Sequence, residues 1–343
     1  MARFRKLTSL IACIAALALG ACDSEDPMDA GGGTDAGAMD AGCPTIPPSL
    51  PTGDRPATVS CPDDPETAPA PEEFMGTCCY RNSNAATLGS PELRIAYIDI
   101  VSPVGSPLSS TIVRGVLNRA VQLETFNWLF RIEDADADGA INIVTGFGRR
   151  MTDGTYEFSQ GSAGTEADPD NWCPVEIPGS IAGETISTPS IDGSITVPIF
   201  DEPGENVQAE LTLVDIAIES AELGEDRSCI GWKAGRPFTY VPQALLTGYV
   251  ELEPSRTQTI ATPGVETTVC SALAGALSMT YCDETPRADW TIPPDALCDE
   301  TGCRHNAPCS TDVCDPLTTC NAWRFAAHFA GSGVDITNDV CGG

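Results

Sequence analysis

The sequence predicts a mainly β fold, a disulfide-rich β-sandwich-like domain with one or two short helices and an irregular, Cys-rich C-terminal segment. Three observations predict it. Short runs of alternating apolar and polar residues fill the stretch from Glu92 to Thr262. Glycine and proline, 32 and 28 of 343 residues, punctuate those runs at intervals that suit a sandwich. Sixteen cysteines point to an oxidising compartment.

The first run, LRIAYIDIV, sets Leu93, Ile95 and Tyr97 against Ala96, Ile98 and Ile100, so it is apolar on both faces, as a central strand is. In FNWLFRIE, Phe126, Trp128, Phe130 and Ile132 share one face, with Asn127, Arg131 and Glu133 on the other. Ile141, Ile143 and Phe147 repeat the alternation. Further strands are expected at Ile195–Phe200, Gln208–Ala221 and Leu245–Leu252. Between the first two strands, Val113, Val116, Leu117, Ala120 and Val121 recur at helical spacing, predicting a helix over Thr111–Glu124 that caps the sheets. A second helix is expected over Thr268–Met279. The β-sandwich-like domain is read as 75–262, with a Cys-rich segment, 263–343, packed on it or extending it.

The chain begins with Arg3, Arg5 and Lys6, followed by an apolar run from Leu7 to Leu19, the order of an export signal. Thirteen residues are too few for a membrane-crossing helix, which needs about 20. The run ends in Leu19-Gly20-Ala21-Cys22, which resembles the lipobox of bacterial lipoproteins. The resemblance implies that 1–21 is a signal peptide and that Cys22 becomes the lipidated first residue. Several acyl chains on one cysteine anchor a protein stably where a single chain holds it only marginally. From Asp23 to Gly42 the chain repeats Asp-Ala-Gly three times without a basic or aromatic residue. Such a segment cannot bury enough apolar surface to offset its ordering entropy and reads as a tether; its random-coil reach is on the order of 25 Å. Nine prolines between Pro44 and Pro71 extend it, so 22–74 holds the body away from the lipid surface. The arrangement resembles Cys-rich exported bacterial lipoproteins with Asp-Ala-Gly linkers, a resemblance that implies an address in the cell envelope and no particular activity. The outer membrane or cell surface is the favoured address. Asp23 resembles an inner-membrane retention signal in some lineages and leaves the periplasmic face of the inner membrane open.

Removal of the signal takes three of 18 basic residues and leaves 15 against 49 acidic ones, a formal charge of −34. That charge opposes nucleic acid and favours solubility. Lys233 is the only lysine after the signal, for which the sequence suggests no role.

Apart from Cys13 in the signal and Cys22, fourteen cysteines remain: Cys43, Cys61, Cys78, Cys79, Cys173, Cys229, Cys270, Cys282, Cys298, Cys303, Cys309, Cys314, Cys320 and Cys341. An even number in an exported chain implies up to seven disulfides, whose connectivity the sequence leaves open. The run from Cys298 to Cys320 has almost nothing apolar to pack, so bridges must replace a core there. Its gaps of four, five, four and five residues, with His305 as the only histidine inside it, fit structural zinc poorly.

The motif with metal chemistry is DADADGAIN, Asp134 to Asn142. Asp134, Asp136 and Asp138 at alternate positions can turn inward around one calcium ion, Gly139 permits the bend, and the Ala140 carbonyl and Asn142 side chain supply further ligands. Position twelve is Thr145 where an EF-hand has glutamate, which lowers the expected affinity toward the millimolar range. The competing reading is an acidic hairpin turn between two strands.

No G-x-S-x-G elbow, H-E-x-x-H or phosphate-binding loop is present, and the only histidines are His305 and His328. Five tryptophans, at 128, 172, 232, 290 and 323, allow a sugar-stacking face or a set of core positions. The expectation is a membrane-anchored, non-enzymatic binding or interaction module whose partner is an envelope protein or glycan. The rival class is an exported hydrolase that works with a carboxylate pair.

Overall fold

The computed structural model describes residues 49–52, 90–135, 138–158, 174–191, 193–200, 207–224, 227, 229–233, 240–262, 265–307 and 310–337. The signal and Cys22 lie outside the described residues, as do Cys43, Cys61, Cys78, Cys79, Cys173, Cys309 and Cys341; of the tether only 49–52 is described, and there the Pro51 carbonyl accepts from Gln243 Nε2 at 2.8 Å.

The described chain runs β1 (Glu92–Ser102), α1 (Thr111–Leu123), β2 (Trp128–Glu133), β3 (Gly139–Arg150), β4 (Tyr156–Phe158), β5 (Val175–Ala182), β6 (Thr185–Ser187), β7 (Ser194–Phe200) and β8 (Val207–Glu222). There follow β9 (Cys229–Ile230), β10 (Trp232–Lys233), β11 (Tyr240–Val241), β12 (Ala244–Glu251), α2 (Leu252–Ser255), β13 (Thr259–Thr262) and β14 (Val265–Thr268). The last elements are α3 (Val269–Ala274), α4 (Tyr281–Glu284), β15 (Ala296–Asp299), β16 (Gly302–His305) and β17 (Ala322–Gly333).

Eight strands close into one antiparallel barrel. In the order β1, β2, β3, β5, β6, β8, β12, β17 each pairs with the next, and β17 returns to β1. This is an up-and-down path, with the remaining strands and helices inserted between staves. The fold is therefore mainly β, but it is a closed barrel and not the sandwich expected from sequence. The reason is β17: Ala244–Glu251 pairs along one edge of it and Leu93–Ser102 along the other, so one strand joins what would otherwise be two sheet edges. The barrel also draws staves from both sides of residue 262, since β17 lies in the stretch read as irregular and stapled.

Alternation decides which side chains enter the barrel. Trp128, Phe130 and Ile132 of β2 point inward and Leu129 outward, and Ile177 and Ile181 of β5 are buried while Glu176, Pro178 and Ser180 are exposed. The interior is aromatic. Phe130 stacks on Phe329 at 5.7 Å and on Trp128 at 5.8 Å, and Phe147 lies 5.3 Å from Trp128. The Trp128 indole N–H donates to Thr145 Oγ1 at 2.8 Å, whose hydroxyl donates to the Leu129 carbonyl at 3.0 Å. An eight-stranded barrel is just wide enough for its own side chains or one small ligand. Here side chains fill it, leaving a void of about 10 Å³ among Leu93, Phe130, Ile143 and their neighbours.

Helix α1 forms as expected, one residue shorter, with Ser110 accepting from the Val113 amide at its N-cap. Its Asn118 acts as a substitute strand. Beyond Arg94, β1 loses β2 as a partner, and the Asn118 side chain takes its place, accepting from the Ile98 amide at 3.0 Å and donating to the Ile98 carbonyl at 2.7 Å. The second helix is real but short, Val269–Ala274, because Gly275 at φ +112° ends it.

A second apolar layer covers the outside of β2 and β3, where Leu129 and Val144 meet Tyr156 and Phe158 of β4 and Val334 and Ile336. Buried charges accompany it. Glu92 accepts from Arg131 Nε at 3.1 Å and from the Ile336 amide at 2.8 Å, and Arg94 donates to the Tyr156 hydroxyl at 2.9 Å and the Val121 carbonyl at 2.8 Å.

Three disulfides are described, Cys270–Cys282, Cys298–Cys303 and Cys314–Cys320, and Cys229 is disulfide-bonded as well. The first ties α3 to α4, the second staples β15 to β16 across a register pair, and the third closes a turn between cysteines six positions apart. Loops this short give about 2–3 kcal/mol each in the chain-entropy model.

Candidate functional site

The β5–β6 hairpin is paired from Ala182↔Thr185 to Ser180↔Ser187, and there its ladder stops. β5 itself continues five residues further toward its start, held on its other edge by β3 down to Val175↔Thr145. The chain that leaves β6 turns to β8 instead. The Thr188 amide donates to the Ile218 carbonyl at 2.9 Å, the Thr188 hydroxyl accepts from the Ile218 amide at 2.8 Å, and the Ile191 amide donates to the Ile216 carbonyl at 3.0 Å. Gly193 accepts from the Asp215 amide before β7 pairs with β8 from Ser194↔Val214 onward.

The barrel wall therefore opens between β5 and the run joining β6 to β7. The opening is a groove of about 380 Å³. Val175, Ile191 and Ile195 form its apolar floor and pack against the barrel core; Pro178 and Pro189 stand on opposite walls; Glu176, Ser190 and Ser194 are exposed along it. Glu176 has a second carboxylate beside it, because the Asn142 side-chain amide donates to Glu133 Oε2 at 3.3 Å and to Glu176 Oε2 at 3.4 Å. Among the described residues, neither lysine nor arginine lines the groove.

The acidic loop from Asp134 to Asn142 joins β2 to β3, in the hairpin position expected. Its described residues serve local structure. The Asp138 carboxylate accepts from the Gly183 amide at 2.8 Å, tying this turn to the β5–β6 turn, and the Ala135 carbonyl accepts from the Arg227 guanidinium. Ala135 is fully buried and helps plug that end of the barrel. Asp134 adopts φ +60°, Ala140 pairs with Ser180 in the ladder, and Asn142 faces Glu133 and Glu176. Asp136 lies outside the described residues, and among the described residues no three His, Cys, Asp or Glu side chains gather as a metal set.

A titratable cluster with no signature in the sequence sits on the outer face of β8, β12 and β17. The Tyr249 hydroxyl and His305 Nδ1 are 3.0 Å apart, Arg324 Nη2 lies 3.3 Å from Glu219 Oε1, and the Arg324 amide donates to Asp295 Oδ1 at 2.8 Å. Burial pushes His305 below the usual histidine range, with the Arg324 charge adding to the effect, and pushes Tyr249 and Asp295 up. All three shifts favour the neutral form. The cluster docks the β15–β16 hairpin on the barrel, with Asp215 accepting from the Cys303 amide on the same side.

His328, the other histidine, is buried in β17 opposite Asp99 of β1 and Leu245 of β12. Trp128, Trp232, Trp290 and Trp323 are buried, so none of them forms an exposed stacking face; Trp172 lies outside the described residues. Register was the missing signal: only strand pairing brings Tyr249 beside Arg324 and sets Pro178 against Pro189. No protein-family model, curated protein or solved structure matches the chain.

Proposed function

We propose that this protein is a lipid-anchored binding module of the bacterial cell envelope, with the closed barrel as a rigid scaffold and the groove beside β5 as its binding surface. The observation that carries the reading is the contrast between the two spaces in the fold. The barrel interior is packed to a void of about 10 Å³, while the opened wall offers about 380 Å³, within the size range of ligand clefts. That contrast favours the groove, on the outside of the barrel, as the binding surface. The disulfides suit an extracytoplasmic address, and the lipobox ending at Cys22 supplies the anchor. The partner is an envelope protein or glycan.

Two measurements test this. In a bacterial host, mass spectrometry of the membrane fraction should find acylated Cys22, and Cys22→Ala should release the protein from membranes. Titration calorimetry with envelope peptides and glycan fragments should give heat that Ser194→Trp, which fills the groove from an exposed position, abolishes. Binding indifferent to Ser194→Trp would refute the groove as the site.

A further inference from the structure

We infer that the groove receives an extended polypeptide segment of a partner protein, added as a strand along β5, with apolar side chains toward the floor and a cationic side chain at Glu176. The inference rests on the reading of the groove as the binding surface and names the partner's chemistry.

Four observations carry it. From Val175 to Gly179, β5 is a strand with one edge paired to β3 and, among the described residues, no ladder on the other, where Pro178 offers a carbonyl but no N–H, so an added segment donates to this edge more than it accepts from it. A rigid strand with an open edge is the template that strand addition uses, with main-chain bonds giving affinity and pockets for alternate side chains giving selectivity. The opposite wall is held on its far edge by β8 through Thr188, Ile191 and Gly193, and among the described residues no backbone bond from it reaches Val175–Gly179. The floor formed by Val175, Ile191 and Ile195 accepts the apolar side of an alternating segment. Among the described residues the rim carries Glu176 and no cation, with Glu133 linked to Glu176 through the Asn142 amide behind it, which selects lysine or arginine on the segment's other side. A second copy of this chain would bring the same acidic rim and a formal charge of −31, so self-association through the groove is opposed.

The probes are the synthetic peptide acetyl-(Val-Lys)4 amide, the same peptide N-methylated at alternate backbone amides, acetyl-(Val-Glu)4 amide, and the sugar chitohexaose. Each is titrated into the full chain at physiological salt, with hydrogen–deuterium exchange followed by mass spectrometry. The Val-Lys peptide should slow exchange in 175–179 and 190–195. N-methylation should weaken it at least tenfold, because it removes strand donors while leaving charge intact. Glu176→Lys, at an exposed position, should shift preference to the Val-Glu peptide, with an unchanged melting curve showing that the variant is folded. Equal affinity of the methylated and unmethylated peptides, or protection confined to other segments, would overturn strand addition. Protection of 175–179 by chitohexaose alone would overturn the peptide chemistry and leave the groove as a binding surface. Protection by no probe would overturn both readings.

Discussion

Pro178 on β5 and Pro189 beyond β6 both line the groove, each two residues past the last rung of the hairpin at Ser180↔Ser187. Neither has an N–H to donate, so the rung that would join them cannot form. The seam opens where the ladder loses its donors, while the chain stays on β8 through Thr188 before Pro189 and Ile191 after it. Replacing both prolines, Pro178→Val with Pro189→Thr, restores two donors and two strand-forming side chains. Exchange of the amides in 176–179 should slow at least tenfold in the double variant, as read by mass spectrometry. Unchanged exchange would show that the bonds from Thr188 and Ile191 to β8, and not the prolines, hold the seam open.

Asn118 completes β1 from outside the sheet, pairing both the amide and the carbonyl of Ile98. It also donates to the Arg114 carbonyl at 2.8 Å. Asn118→Leu keeps the size of the side chain but leaves a buried donor and acceptor unpaired. Each unsatisfied group costs about 1–3 kcal/mol, so denaturant unfolding should show a loss of about 2–4 kcal/mol. A loss below about 1 kcal/mol would mean that the strand finds another partner.

Burial raises the Asp295 carboxyl above its ordinary value of 3.8, against the opposing bond from the Arg324 amide. The folded protein thus holds that proton more tightly than the unfolded chain. The stability this group contributes is fully present below pH 3.8 and is lost as pH rises through the raised folded value. Asp295→Asn retains an oxygen for the Arg324 amide and does not ionise. It should match the parent at pH 3 and be the more stable of the two at pH 8, measured by denaturant midpoints across that range. A parent more stable than the variant at pH 8 would contradict the assignment.

Legibility divided along physical lines. β1 could be read from its continuous apolar run and β2, β3, β8 and β12 because β-branched and aromatic residues alternate there with polar ones, and α1 because its apolar residues fall on one stripe. β17 could not: AWRFAAHFAGSG is rich in alanine and glycine, which favour strands poorly on their own. In the barrel those small residues are buried between β1 and β12, and tertiary contact makes the strand. Missing that one stave turned a barrel into a sandwich, since closure is a property of pairing and not of any single segment. The groove was hidden for the same reason. Pro178 and Pro189 each read as local interruptions, and only the register of the hairpin shows that they oppose each other. Asp138 illustrates the converse case, a residue singled out correctly as part of a special turn whose hydrogen bond, to Gly183, lies 45 residues away.

That bond bears directly on the calcium question. A carboxylate that binds calcium must turn its oxygens to the ion, whereas Asp138 Oδ1 already accepts from the Gly183 amide at the junction of two barrel turns. Arg227 joins the same junction, bonding to the Ala135 carbonyl and to Glu184 Oε2 at 3.3 Å. Hydrogen bonds to Gly183 and Arg227 hold the described part of the loop, and if they suffice, chelation of divalent ions leaves the melting temperature unchanged within about 1 °C. Asp138→Ala, by contrast, removes a charge-assisted bond worth about 1.5–3 kcal/mol where buried and less at this exposed turn. A fall of a few degrees is expected, since about 1 kcal/mol shifts the midpoint of a domain this size by about 2–4 °C. A chelator-induced fall that millimolar calcium reverses, and that Asp138→Ala eliminates, would instead establish the loop as a calcium site.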